Sequence, residues 1–148
     1  MQGGIVNKPA KSPVDGCQPD NAEPRRIYEL GVGCFFNARH YVTSGAKGEV
    51  HAHSWRIEVN FQGSVVNEQG MLVGFAEVKQ MVQKRVNRFN GVILNEVEPF
   101  TRTLPTTENI ASAIYREIKE ILDLPSLQLI SVRVWESPTS YVLYREKP

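Results

Sequence analysis

Three histidines, His40, His51 and His53, lie within fourteen consecutive positions, and the chain has no others. His51 and His53 are separated by one residue at the start of His51–Phe61 (HAHSWRIEVNF), a run of strict alternation. In a strand that spacing turns both imidazoles to the same side, close enough to hold one ion between them. His40 precedes them by eleven residues, at the end of another extended run, and reaches the same point if the two strands pair. Three neutral imidazoles with a fourth position open form a catalytic rather than a structural zinc arrangement. Nitrogen ligands favour zinc over magnesium or calcium. An H-x-H pair alone is a weak motif. The confinement of every histidine to two neighbouring elements is what makes zinc the expected cofactor.

Two strands must carry these side chains. Ile27–Tyr41 places Tyr28, Leu30, Val32, Cys34, Phe36, Ala38 and His40 on one face at period two. The loop Thr43–Glu49, punctuated by two glycines, leads into His51–Phe61, where His51, His53, Trp55, Ile57, Val59 and Phe61 share a face. Two helical patterns follow. The first is Phe75, Val78, Val82, Val86 and Phe89, and the second Ile110, Ile114, Ile118 and Ile121. The second helix opens at Pro105-Thr106-Thr107-Glu108, where a threonine can cap free amides and Glu108 complements the positive helix end. Leu127–Trp135 and Ser140–Arg145 read as closing strands, with Glu136 to Thr139 connecting them. The order β-β-α-α-β-β predicts an α+β domain with both helices on one face of an antiparallel sheet. The other sheet face needs cover too, so a homo-oligomer is expected.

The composition sets outer bounds. At 148 residues the chain is expected to form one domain with a real core. Seventeen basic against sixteen acidic residues, a net charge of +1, give no electrostatic footprint for nucleic acid or an anionic membrane. No apolar run approaches the roughly 18 residues a membrane span requires. The start, MQGGIVNKPAKSP, lacks an apolar signal core, and the expected location is cytoplasmic. Two cysteines, Cys17 and Cys34, exclude a disulfide framework and a four-thiolate zinc site. Residues 1–25 hold four of the nine prolines and few large apolar groups. They are expected to form a flexible N-terminal extension to a domain spanning residues 26–148.

Several segments together resemble the 6-pyruvoyltetrahydropterin synthase family, which includes the 6-carboxytetrahydropterin synthases of the queuosine pathway. They are Phe36-Asn37-Ala38-Arg39-His40, His51-Ala52-His53-Ser54-Trp55, Gly70-Met71-Leu72-Val73-Gly74-Phe75, Pro105-Thr106-Thr107-Glu108-Asn109, and Glu136 before Tyr141. The resemblance spans about residues 27–146 in the right order. It implies a tunnelling fold, in which subunits join their sheets into a barrel, commonly as a trimer or a hexamer. It implies zinc on His40, His51 and His53, and Glu136 as the anchor of a pterin ring through paired N–H bonds. It also implies that Thr106, Thr107 and Glu108 help line the pterin pocket. The reaction it implies is zinc-dependent elimination of triphosphate from 7,8-dihydroneopterin triphosphate, with rearrangement or cleavage of the side chain.

The sequence departs from the family pattern where a base is needed. The family places a cysteine four residues before the first histidine of its H-G-H motif; here that position is Lys47. An Asp-His pair before Leu-Asn becomes Asn90-Gly91 ahead of Leu94-Asn95. Ala52 replaces the middle glycine, and Gly74 stands where an aspartate precedes the phenylalanine. Some relatives carry glutamate for the cysteine, and Glu49 is the nearest carboxylate to His51. Its spacing does not reproduce that motif, so Glu49 is either the base or a loop carboxylate facing water, and Lys47 either a triphosphate contact or a base of depressed pKa. The alternative is a zinc- and pterin-binding homologue that has lost turnover.

Overall fold

In this computed structural model, residues 1, 3–4, 24–43 and 48–147 are described. The expected extension at residues 1–25 lies almost wholly outside them, as does Lys47.

The β-branched and aromatic stretches form β1 (Tyr28–His40) and β2 (His51–Gly63), paired antiparallel in continuous register from Tyr28 opposite Gly63 to His40 opposite His51. Two helices, α1 (Phe75–Val86) and α2 (Thr107–Ile121), precede β3 (Gln128–Ser137) and β4 (Ser140–Tyr144). The sheet is antiparallel throughout, in the order β1-β2-β3-β4. Helix α1 packs on β1, and α2 on β3 and β4. This is the expected α+β arrangement.

Period two buries alternate strand residues against the helices. Leu30, Val32, Cys34, Phe36 and Ala38 of β1 meet Trp55, Ile57, Val59 and Phe61 of β2 in one core. From the helices come Val78, Val82 and Val86 of α1 and Ile110, Ile114 and Ile118 of α2. Trp55 stacks against Phe36 with ring centroids 6.0 Å apart, and Phe36 touches Phe89 at 5.9 Å.

Three details differ from the sequence expectation. Phe75 is exposed at the first residue of α1. Phe89 is buried but belongs to a short 3-10 turn (Asn87–Phe89), because the helix tightens after Val86 to deliver the chain to the edge of β1. Glu136 lies inside β3 rather than in the connection to β4. The irregular pairing between Trp135 and Ser137 accommodates this longer strand.

Candidate metal centre

The three histidines converge because of strand register. His40 pairs directly with His51, and Ala38 with His53, so the inward faces of β1 and β2 bring all three rings to one end of the sheet. Ring centroids lie 4.5 Å apart for His40–His51, 5.1 Å for His40–His53 and 4.8 Å for His51–His53. Trp55 closes the floor, 5.1 Å from His40 and 5.2 Å from His53. Glu136 reaches the cluster from β3, with Oε1 3.3 Å from His53 Nε2 and 3.7 Å from His40 Nε2. One ligand atom from each of these four residues lies within 4.8 Å of the other three.

The neighbouring hydrogen bonds aim the rings. His40 Nδ1 donates to the Pro105 carbonyl at 2.8 Å, and His51 Nδ1 to the Glu49 carbonyl at 2.9 Å. A ring that donates from Nδ1 presents Nε2 as a bare acceptor, which is how metal-bound histidines are commonly held. Nε2 of His40 and of His53 are both buried without a hydrogen-bond partner. Leaving such atoms unsatisfied costs about 1–3 kcal/mol each, and a cation removes that cost. Burial, reinforced by the two adjacent imidazoles, holds the His40 pKa below its ordinary value against the opposing pull of Pro105 and Glu136. A neutral ring is the form that ligates. Three imidazole nitrogens suit zinc with a fourth position left open, and Glu136 stands beside that position.

The end of β1 is braced from outside. The Asn95 side chain accepts from the Tyr41 amide at 3.0 Å and donates to the Tyr41 carbonyl at 2.9 Å, next to His40. Asn90 Oδ1 accepts from the Asn37 amide at 2.9 Å, and the Arg39 amide donates to the Val92 carbonyl at 3.0 Å. Gly91 turns this segment with φ +80°, a conformation that a side chain disfavours.

Beside the cluster is a cavity of about 260 Å³, bounded by His40, Thr106, Thr107, Glu108, Glu136 and Tyr141. The two threonines do different work. Thr106 caps α2, its hydroxyl accepting from the Asn109 amide at 3.3 Å. Thr107 donates to Glu136 Oε2 at 3.0 Å and so turns the carboxylate toward both cavity and histidines. Glu49 is exposed, and its carbonyl rather than its carboxylate contacts His51. Cys34 is buried under the sheet, and burial pushes its thiol up to about 11, so it is inert near neutral pH. The sequence reading missed the closeness of Glu136 to the imidazoles, the Pro105 carbonyl and the Asn95 brace. None leaves a local signal, since each joins segments more than fifty residues apart.

The family profile of 6-pyruvoyl tetrahydropterin synthase matches residues 29–147. The chain belongs to this family. It is 31% identical over 129 residues to the 6-carboxy-5,6,7,8-tetrahydropterin synthase of Bacillus subtilis, covering 81% of this chain and 86% of that protein. It is 33% identical over 118 residues to a putative 6-carboxy-5,6,7,8-tetrahydropterin synthase of Archaeoglobus fulgidus, covering 78% of this chain and 94% of the relative. The solved 6-pyruvoyl tetrahydropterin synthase of Caenorhabditis elegans superposes with a TM-score of 0.73 at 23% identity, over 82% of this chain and 97% of that one. The family's tunnelling fold is thus the fold seen here: a four-stranded antiparallel sheet with two helices on one face.

Proposed function

We propose that the chain is a zinc-dependent lyase of the 6-pyruvoyl/6-carboxytetrahydropterin synthase type, acting on 7,8-dihydroneopterin triphosphate or a related pterin. The observation that carries this reading is the pair of buried, unpartnered Nε2 atoms of His40 and His53 facing Glu136 beside a cavity. His40, His51 and His53 would hold zinc, which supplies Lewis-acid polarisation of the substrate's side-chain oxygens. Glu136, oriented by Thr107, accepts the paired N–H groups of the pterin ring, and Glu108 and Thr106 line the same cavity. The inert Cys34 and the Asn90-Gly91 pair leave a carboxylate as base, and Glu49 is the one next to His51 in the chain. A Plasmodium vivax 6-pyruvoyltetrahydropterin synthase of the same fold uses a glutamate as a catalytic residue, since its alanine replacement is described as a catalytic-residue mutant. Lys47 is the proposed triphosphate contact, and a homo-oligomer, trimer or hexamer, in the cytoplasm is the proposed state.

A second reading, a zinc- and pterin-binding homologue without turnover, draws on the same absence of a thiol base. Incubation of the zinc-loaded protein with 7,8-dihydroneopterin triphosphate, followed by mass analysis, separates the two. Release of tripolyphosphate that falls at least about a hundredfold in Glu49→Ala supports the lyase and its base. Tight pterin binding without any product supports the second reading and overturns the first.

A further inference from the structure

The two carboxylate oxygens of Glu136 face different partners. Oε2 accepts from the Thr107 hydroxyl at 3.0 Å, beside the cavity of about 260 Å³. Oε1 lies toward the imidazoles, 3.3 Å from His53 Nε2 and 3.7 Å from His40 Nε2.

Neither of these approaches is a hydrogen bond, since both Nε2 atoms are without a hydrogen-bond partner. At His40 the reason is chemical. The Pro105 carbonyl can only accept, so Nδ1 carries the proton of the neutral ring and Nε2 is bare. Oε1 and Nε2 of His40 therefore meet as two acceptors, which repel unless a cation lies between them. The distances suit that arrangement. Bonds of about 2.0–2.1 Å to a tetrahedral zinc set neighbouring ligand atoms roughly 3.3–3.4 Å apart. The approach of Oε1 to His53 has that length, and the approach to His40 is slightly longer.

The surroundings also let this carboxylate turn. Its side chain is 37% exposed, at the wall of the cavity. The pairing of β3 with β4 passes from Trp135 to Ser137 and gives Glu136 no partner on β4. An irregular position of this kind re-aims a side chain while the ladder continues on either side. Thr107 holds Oε2 and leaves Oε1 able to swing. A pterin ring makes the competing demand. Its paired N–H groups need both carboxylate oxygens in one plane, and a carboxylate that gives Oε1 to a metal has only Oε2 to offer.

We infer that Glu136 is a displaceable fourth zinc ligand. Oε1 takes the open position of the three-histidine centre in the substrate-free protein and leaves it when the carboxylate turns to a pterin ring. The bond that breaks is from Oε1 to zinc, the bond that forms is from a side-chain oxygen of the substrate to zinc, and no proton moves. Recognition of the ring is thereby what exposes the metal to the reacting part of the substrate. Resting on the pterin-lyase reading, this role adds to it a coupling between the ring cavity and the metal.

The test uses the cobalt(II)-loaded protein, whose visible spectrum reports the metal's ligands, and unsubstituted pterin, which has the paired N–H groups and no side-chain oxygen. Wild type, Glu136→Gln and Thr107→Val are compared, with metal affinity read by chelator competition and pterin binding by calorimetry. Glu136→Gln is expected to change the cobalt spectrum and to weaken cobalt binding about tenfold, whereas Thr107→Val keeps the wild-type spectrum. Saturating pterin is expected to shift the wild-type spectrum toward that of Glu136→Gln. By reciprocity, pterin should weaken cobalt binding as much as cobalt weakens pterin binding. Matching spectra and cobalt affinities in wild type and Glu136→Gln overturn the ligand assignment. Pterin that binds wild type and leaves its spectrum unchanged overturns the displacement. A spectrum that depends on Glu136 in a protein that binds no pterin upholds the ligand and overturns the pterin reading instead.

Discussion

The inward face of β2 is two surfaces on one strand. From Trp55 to Phe61 every second side chain is fully buried among aliphatic and aromatic neighbours. Two steps earlier, at His53 and His51, the same face carries imidazoles at partial and full exposure. Ile57, Val59 and Phe61 offer only apolar groups to the core, whereas the histidine end keeps buried acceptors without donors, and Trp55 Nε1 at the junction is a buried donor without a partner. One part stabilises the chain; the other offers ligand atoms to an ion at a cost in stability. The fold tolerates that cost because the cluster lies at the sheet margin, where β1 and β2 end and Asn95 braces the backbone.

Substitutions at the two ends should therefore separate stability from metal binding. Ile57→Ala removes a fully buried side chain and should cost about 2–5 kcal/mol in denaturant unfolding, while the folded fraction keeps its zinc stoichiometry. His53→Ala should do the opposite. Zinc affinity, read by chelator competition, should fall by at least about a hundredfold, beyond what loss of an outer hydrogen-bond partner usually brings. The zinc-free form should unfold no earlier than wild type, because the deleted ring contributes an unpartnered acceptor. A marked loss of apo stability in His53→Ala would erase the distinction between the two ends.

Cys34 tests the apolar end by pH. Its folded pKa is raised from 9.0 to about 11, so the fold favours the neutral thiol. The stability this contributes is complete below pH 9 and is lost as pH rises from 9 to about 11, by about 3 kcal/mol. The pH dependence of unfolding in wild type and Cys34→Val should differ by this component, on top of a pH-independent offset from the altered packing. Identical pH profiles would show that the thiol is not held in the core as described.

The smallest effects should come from adjacent threonines. Thr106→Ala removes the α2 cap and should lower stability by about 1 kcal/mol without altering zinc affinity and with less loss of pterin affinity than Thr107→Val. Thr107→Val leaves the cap and releases Glu136, so neopterin affinity should drop by about fivefold with little change in stability. Equal behaviour of the two variants would contradict the division of labour between them.

Much of this was legible in the chain. Alternation at period two identified β1 and β2 and the side on which His51 and His53 fall, because side-chain direction in a strand follows from residue parity alone. The threonine cap at the start of α2 was legible for the same local reason. Phe89 was misplaced because helical spacing continues past the point where the backbone tightens into a 3-10 turn, and Phe75 because the same spacing reaches back to the first helical residue, whose side chain is exposed. Glu136 looked like part of a connection, since its strand continues only through pairing with β4.

The sequence by itself determined the pattern of elements and the three histidines as one group, both matters of residue type and short spacing. Tertiary structure decided the rest. It set His40 opposite His51, brought Glu136 to the imidazoles from more than eighty residues away, and gave Thr106 and Thr107 separate partners. Such contacts depend on register and on the packing of distant strands, and those are fixed by the whole core rather than by any segment.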